Sequence, residues 1–445
     1  MINAYQSSVA GDQLNASNEL AAVFAYYPWR VDLNIEAARY AYQAGDPKAA
    51  IQYLETPGTI AYLTSEDLIL FGDMYNQSGD FSKAEAIWKD VTKLGDSNQV
   101  FRRLVDLYLQ QNDFDSAVIY LQKMLTLTPS DSHLYYKIGL LYAGIDPLKA
   151  LPFLAQAAEI DPSNTVESRD LHDKIRTANL FDQPAYTLLA SGRQLASMGE
   201  WVLAAEAFRR ASALDPEYAE AWAFLGEAQQ QIAKKDIGSI PDVGLTELEM
   251  ALELDANSIL GNTFMGLYWE RQGDYSQAQH YVEQAITLNS SDPYLYSELG
   301  NILSKAGDLP AAQAAYEAAI HLSPQDPLFY RLLAEFAMEN QIQIRELALP
   351  AIRQAIILSP QDSSSLDVMA QIMLMLQDYH SAERYSLDAL DSNPAFPLAY
   401  LHLGTAYLYL GESNLALKWL TVAKQVEPDS WIATQATRMI DYYFP

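Results

Sequence analysis

Along this chain, apolar and small residues return at helical spacing between short polar turns, and the turns repeat one word. Gly79-Asp80-Phe81 with Ala84, Gly273-Asp274-Tyr275 with Ala278, Gly307-Asp308-Leu309 with Ala312 and Gly411-Glu412-Ser413 with Ala416 are four copies of it. Counted through most units, a small residue stands at position eight, an aromatic or apolar one at eleven, alanine at twenty and twenty-seven, and often proline at thirty-two. The period is about 34 residues, and each period reads as two apolar helices joined by a turn.

The copy at 293–326 shows the parts: Tyr296, Leu299, Gly300, Leu303, Gly307, Asp308, Ala312, Tyr316, Ala319 and Pro324. Small residues at Gly300, Ala312 and Ala319 let the helices of one hairpin, and then the next hairpin, approach closely, while Tyr296, Leu299 and Tyr316 fill the spaces between them. Gly307 tolerates the left-handed backbone that ends a helix, Asp308 offers an acceptor at the start of the next, and Pro324 stops the second helix. One hairpin cannot bury both of its faces, so stacked neighbours must share a continuous core.

Eleven full units start near Val31, Ser65, Asn98, Ser132, Ala185, Ala219, Ile259, Pro293, Pro327, Ser363 and Pro397. They form a sub-array of four repeats over 31–162 and one of seven over 185–430. Between them, 163–184 reads as a junction carrying an extra helix over Val166–Arg176. The unit at Ser132 is one residue short at its turn, Ala143-Gly144-Ile145-Asp146. An insertion within Ile232–Gly244 predicts an extended turn on one edge, and the turn Asn340–Ile344 is long and lacks glycine. Residues 1–30 align with the second half of a repeat through Ala16 and Pro28, which predicts native sequence before Met1, a membrane anchor being one form of it. Residues 431–445 read as a C-terminal capping helix with Trp431, Ala436, Met439 and Ile440 on its apolar side.

At nearly every signature position these units resemble the tetratricopeptide repeat (TPR) family, over roughly nine tenths of the chain. The resemblance implies an all-α fold, a right-handed α-solenoid of about eleven helical hairpins with a C-terminal capping helix. It also implies a non-catalytic scaffold that binds a peptide or protein segment in its concave groove. Tyr26-Tyr27-Pro28-Trp29-Arg30 is similar to the lead-in of the TPR tails of some bacterial membrane proteins. That implies an alternative: the soluble module of a longer membrane-anchored envelope protein, such as one in surface-polysaccharide assembly.

Charge and composition narrow the chemistry. The chain has 28 Lys plus Arg against 57 Asp plus Glu, a net of -29, which argues against nucleic acid as a partner. It has no cysteine, which excludes disulfides, thiolate metal sites and cysteine nucleophiles. The histidines, His133, His172, His280, His321, His380 and His402, show no pair at metal-ligand spacing, and no glycine-rich phosphate loop is present. No metal, cofactor or catalytic site is therefore expected. No apolar run approaches the ~18 residues of a membrane span, so direct membrane insertion by this chain is not expected.

Binding residues follow from the resemblance, which implies that positions two, five, six, nine, twelve and thirteen of each first helix face the groove. They give Arg102, Arg103 and Asp106, then His133, Tyr136 and Lys137, then Tyr186 and Arg193. Residues 98–160 hold five basic and six acidic side chains, a net of -1 where the chain average puts about -4. Arginine forks and tyrosine faces there suit a carboxylate or an extended peptide, and the competing reading is pairing with neighbouring acids on a solvated face. The family's carboxylate clamp for chaperone C-termini is not matched: Arg102, Asp106 and Lys137 stand where it needs other residues. Toward the C-terminus the groove positions give Tyr294, Ser297, Glu298, Asn301, Arg331, Glu335, His402, Thr405 and Tyr409, with Leu401 and Leu408 assigned to packing of the cap.

Overall fold

The computed structural model describes residues 2–95, 97–162, 166–237 and 242–444, the last four residues of the third stretch by backbone alone. Its described residues form 26 α-helices and no strand. They fall into two units, Met1–Glu217 and Tyr218–Pro445.

In the first unit the hairpins are Val31–Gln43 with Pro47–Leu54, Ser65–Ser78 with Phe81–Thr92, Asn98–Gln110 with Phe114–Leu127, Ser132–Ile145 with Pro147–Ile160, and Pro184–Ser197 with Trp201–Leu214. A pair of helices, Ile2–Val9 and Gln13–Tyr26, precedes them, and a single helix, Val166–Asn179, lies between the fourth and fifth. In the second unit Ala219–Ile237 pairs with Leu245–Leu254, Ile259–Gln272 with Tyr275–Leu288, Pro293–Ala306 with Leu309–Leu322, Pro327–Glu339 with Leu349–Leu358, Ser363–Met375 with Tyr379–Ser392, and Pro397–Leu410 with Ser413–Val426. All eleven units thus begin at the residue their period marks, or one residue away, as at Pro184.

The turns work as their residue types require. Gly307 takes a φ of 86°, and Asp308 accepts the N–H of Ala311 at 3.1 Å. Gln377 stands at the same turn position with a φ of 62°, so a side chain tolerates there the backbone that other repeats give to glycine. Among the described residues, eleven helices begin on an aspartate whose carboxylate accepts a first-turn N–H, worth about 1 kcal/mol each. At the short turn of the Ser132 unit one residue, Asp146, ends the first helix and starts the second, with Pro147 at the first helical position.

The core is built where small residues meet large ones. Trp88, Phe101, Phe208 and Phe329 are fully buried, and alanines at 0% exposure recur through both units. A methyl group added at Gly300 would lie 2.9 Å from the ring of Tyr316, the close approach that position eight demands. Repeats four and five are tied directly: Ser191 Oγ donates to the Ala143 carbonyl at 2.7 Å, and Gly144 lies against Leu203. Val166–Asn179 packs on Pro147–Ile160 and on Pro184–Ser197.

Three details depart from the sequence pattern. The first half of the Ile232–Gly244 insertion continues the helix to Ile237 instead of turning, because Ala-Lys-Lys-Asp contains no helix breaker; residues 238–241 lie outside the described residues. The long turn after Glu339 closes through Gln341 and Gln343 in the left-handed region and a five-residue π-helical turn, Ile344–Ala348. The C-terminal cap, Trp431–Tyr443, buries Ile432, Ala433 and Ala436, while Trp431 at its first position is 66% exposed. Leu401 packs into the cap cluster with Met439 and Ile440.

Candidate functional site

In the first unit the first helices place Arg102 and Arg103 beside Tyr42, Asp73, Asn76 and Asp106 around a cavity of about 350 Å³. The two arginines differ. Arg103 is half-buried and grips Asp73 of the preceding repeat, with Nη2 to Oδ2 at 2.7 Å and Nε on the other oxygen. That hydrogen-bonded carboxylate raises the Arg103 guanidinium above its ordinary value. Arg102 is exposed, and its side chain makes no ion pair or hydrogen bond among the described residues. Lys137 on the next first helix is half-buried, and its side chain likewise makes no ion pair or hydrogen bond among the described residues. His133 and Tyr136 line a small pocket of about 50 Å³ together with Glu167. Tyr136 Oη donates to Glu167 Oε2 at 3.2 Å, and burial with the Glu167 charge pushes its hydroxyl up to about 12. Tyr186 and Arg193 line a third cavity, with Tyr186 edge-on to Phe181.

The second unit cancels its groove charges more completely. Arg271 holds Glu227 with two bonds of 2.7 and 2.6 Å. Glu270 accepts from Asn301 at 3.1 Å and from Lys305. Arg331 bonds Glu335 at 2.9 Å and lies 3.8 Å from Asp362. His402 is buried to 9% exposure, its Nδ1 2.7 Å from Asp367 Oδ1, and so ties two adjacent first helices together. Tyr294 is 55% exposed, edge-on to the buried ring of Phe329. Tyr409 is exposed and stacks on Tyr379.

Family models described as tetratricopeptide repeat match two separate stretches, residues 71–132 and 271–336. Each stretch holds hairpins of the period already described. The chain is a tetratricopeptide repeat protein. No curated protein matches it in sequence. Among solved structures it is similar to the Cut9-Hcn1 hetero-tetramer of APC/C, at 18% identity and a TM-score of 0.41, with 91% of this chain and 88% of that one covered. It is similar to yeast Tom70 at 15% identity and a TM-score of 0.43, covering 85% of this chain and 95% of the other. YrrB, described as a TPR protein with an unusual peptide-binding site, matches at 19% identity and a TM-score of 0.32, over 43% of this chain and 97% of its own.

A tetratricopeptide repeat array is in general a protein-interaction scaffold. Among the described residues this one has no helix long and apolar enough to cross a membrane, and no group of three or more acidic or histidine side chains placed to hold a metal ion.

Several working residues of these TPR grooves are not singled out by position alone. Asp73, Glu227 and Arg271 stand at groove positions nine and thirteen, and the signal that finds them is an acid in one first helix facing a cation in the next. Lys174 lies on a helix that no repeat numbering reaches. Glu298 is one exception to pairing in the second unit: it has no hydrogen-bond or ion-pair partner among the described residues. Burial, with the Glu270 charge, pushes its carboxyl up to about 6. A carboxyl raised in the folded state contributes stability below its ordinary value near 4.5, and that contribution is lost as pH rises through about 6. Glu298→Gln should therefore stabilise the second unit near neutral pH, by no more than ~2 kcal/mol, and leave stability unchanged near pH 4. Urea titrations at the two pH values measure this, and an equal gain at both would show that charge is not the cause.

Proposed function

We propose that this protein is a non-catalytic scaffold that holds a protein or peptide segment along the first helices of its first unit, with Arg102 and Lys137 as charge anchors. The observation that carries this reading is the contrast in pairing. Arg39, Arg103, Arg271, Lys305 and Arg331 are each bonded to a carboxylate, whereas Arg102 and Lys137 face the groove without one. In a chain of net charge -29, cations left unpaired on consecutive groove helices are available to an incoming acid. The cavity beside Arg102 offers Asn76 and Gln77 for backbone groups of an extended segment.

The test is affinity capture with the full chain and with a double variant, Arg102→Glu and Lys137→Glu. Arg103 is left in place, since removing it would strand Asp73 and damage the wall itself. Retention of the captured partner should fall about tenfold or more, with circular dichroism unchanged. Full retention by the double variant would sink the reading.

A further inference from the structure

Two departures from the period, the short turn of the fourth repeat and the extra helix after it, stand where the stacking of the first unit changes. Its second, third and fourth hairpins join through the second helix of one and the first helix of the next, as Phe81–Thr92 does with Asn98–Gln110 and Phe114–Leu127 with Ser132–Ile145. The fifth hairpin lays both of its helices, Pro184–Ser197 and Trp201–Leu214, on the first helix of the fourth. The seat is the end of that helix, where Ala143, Gly144 and Ile145 are buried. A methyl group added at Gly144 would lie 3.1 Å from the Leu203 carbonyl oxygen, closer than it could sit without a shift of that backbone.

Arg210, on the second helix of the fifth hairpin, reaches across this seat. Its Nη1 donates to the Ile145 carbonyl at 3.2 Å, its Nε to Glu206 Oε1 at 2.6 Å, and its Nη2 to Asp115 Oδ2. Asp115 stands in the first turn of Phe114–Leu127, in the third repeat. One guanidinium on the fifth repeat therefore holds the end of a helix in the fourth and the start of a helix in the third, 95 residues away. The planar fork of arginine has the donors to meet three acceptors at fixed angles, which a lysine ammonium does not. In an ordinary solenoid a repeat touches only its immediate neighbours, and stability is a sum of nearest-neighbour terms. The contact with Asp115 breaks that rule. The extra helix closes the same step by a second route: Leu171 and Ile175 on it are fully buried, and Ser168 Oγ donates to the Leu154 carbonyl at 2.9 Å.

We propose that Arg210 is a clasp that closes repeats three to five into one cooperative block, so that Val166–Asn179 is a rigid splice in the array and not a hinge. To bend at the extra helix, the chain must draw Arg210 away from both Ile145 and Asp115 and lift Leu203 off Gly144. Arg209 provides the comparison: it is the next residue in the chain and bonds the same Glu206, but its bonds stay within its own helix.

The experiment is hydrogen–deuterium exchange of the full chain, read by mass spectrometry across a urea series. In the parent, the helices of 98–127, 132–160 and 184–214 should lose protection together. Arg210→Met strands no buried charge, since Glu206 keeps Arg209 and the Asp115 side chain is 64% exposed, so the variant should stay folded. Exchange over 184–214 should rise about tenfold in Arg210→Met and about threefold in Asp115→Ala, with no further rise when the two are combined. Arg209→Met should raise it by no more than about twofold. The proposal is overturned if 184–214 opens at lower urea than 98–160 in the parent, if Asp115→Ala leaves that segment unchanged, if Arg209→Met matches Arg210→Met, or if the effects of the two clasp changes add.

Discussion

Replacing Gly72 by alanine is expected to destabilise the second hairpin by ~3 kcal/mol, near the top of what overpacking costs. A methyl group there would lie 2.2 Å from Nε1 of Trp88 and 2.6 Å from its Cδ1. The indole is 1% exposed, and its N–H is spent on the Ile69 carbonyl at 3.2 Å, so a shift to relieve the contact would break that bond. Gly79, seven residues on in the same hairpin, is the control, since a methyl there meets nothing within 4 Å and strains only a backbone with a φ of 86°. Gly79→Ala should cost about 1 kcal/mol. Hydrogen exchange over 65–92 and urea unfolding followed by tryptophan fluorescence would read both, and a larger loss at Gly79 than at Gly72 would refute the packing argument.

Arg271→Met is expected to cost a similar ~3 kcal/mol for an electrostatic reason. Glu227 keeps a side chain only 9% exposed, and without Arg271 its charge would retain one donor, Gln231 Nε2 at 2.6 Å. Removing both partners, as Arg271→Met with Glu227→Leu, should restore most of the loss, because what destabilises is the stranded carboxylate and not the missing bond. A double-mutant cycle by chemical denaturation measures the coupling. If the double variant is as unstable as Arg271→Met alone, the pair matters for its shape and not for its charge.

The period was legible because helix crossing fixes it. A glycine at position eight sits under a large side chain of the paired helix in one unit after another, Gly139 under Leu154, Gly192 under Phe208 and Gly300 under Tyr316. In these units no side chain other than a very small one fits, so the spacing survives in the residue string. Turn backbones were legible where glycine marks them and hidden where Asn112, Gln341 or Gln377 takes the same conformation. Trp431 was misplaced because hydrophobicity does not say which of two neighbours faces inward, and Ile432 takes the buried place. The candidate site was legible only in part: groove position depends on register, but whether a cation is free depends on a partner in another repeat. Arg102 and Arg103 are adjacent in the chain, and a carboxylate at Asp73, thirty residues away, is what separates their roles.

The aspartates that start so many of the helices change the meaning of the overall acidity. Seven of the eleven stand at the turn inside a helix pair, and four, Asp131, Asp292, Asp326 and Asp362, stand between hairpins, so both are places that recur with the repeating unit. Formal negative charge therefore accrues with repeat number, whatever the protein binds. A longer or shorter descendant of this chain would differ in isoelectric point without having changed its partner, and relatives compared by total charge would be sorted by length.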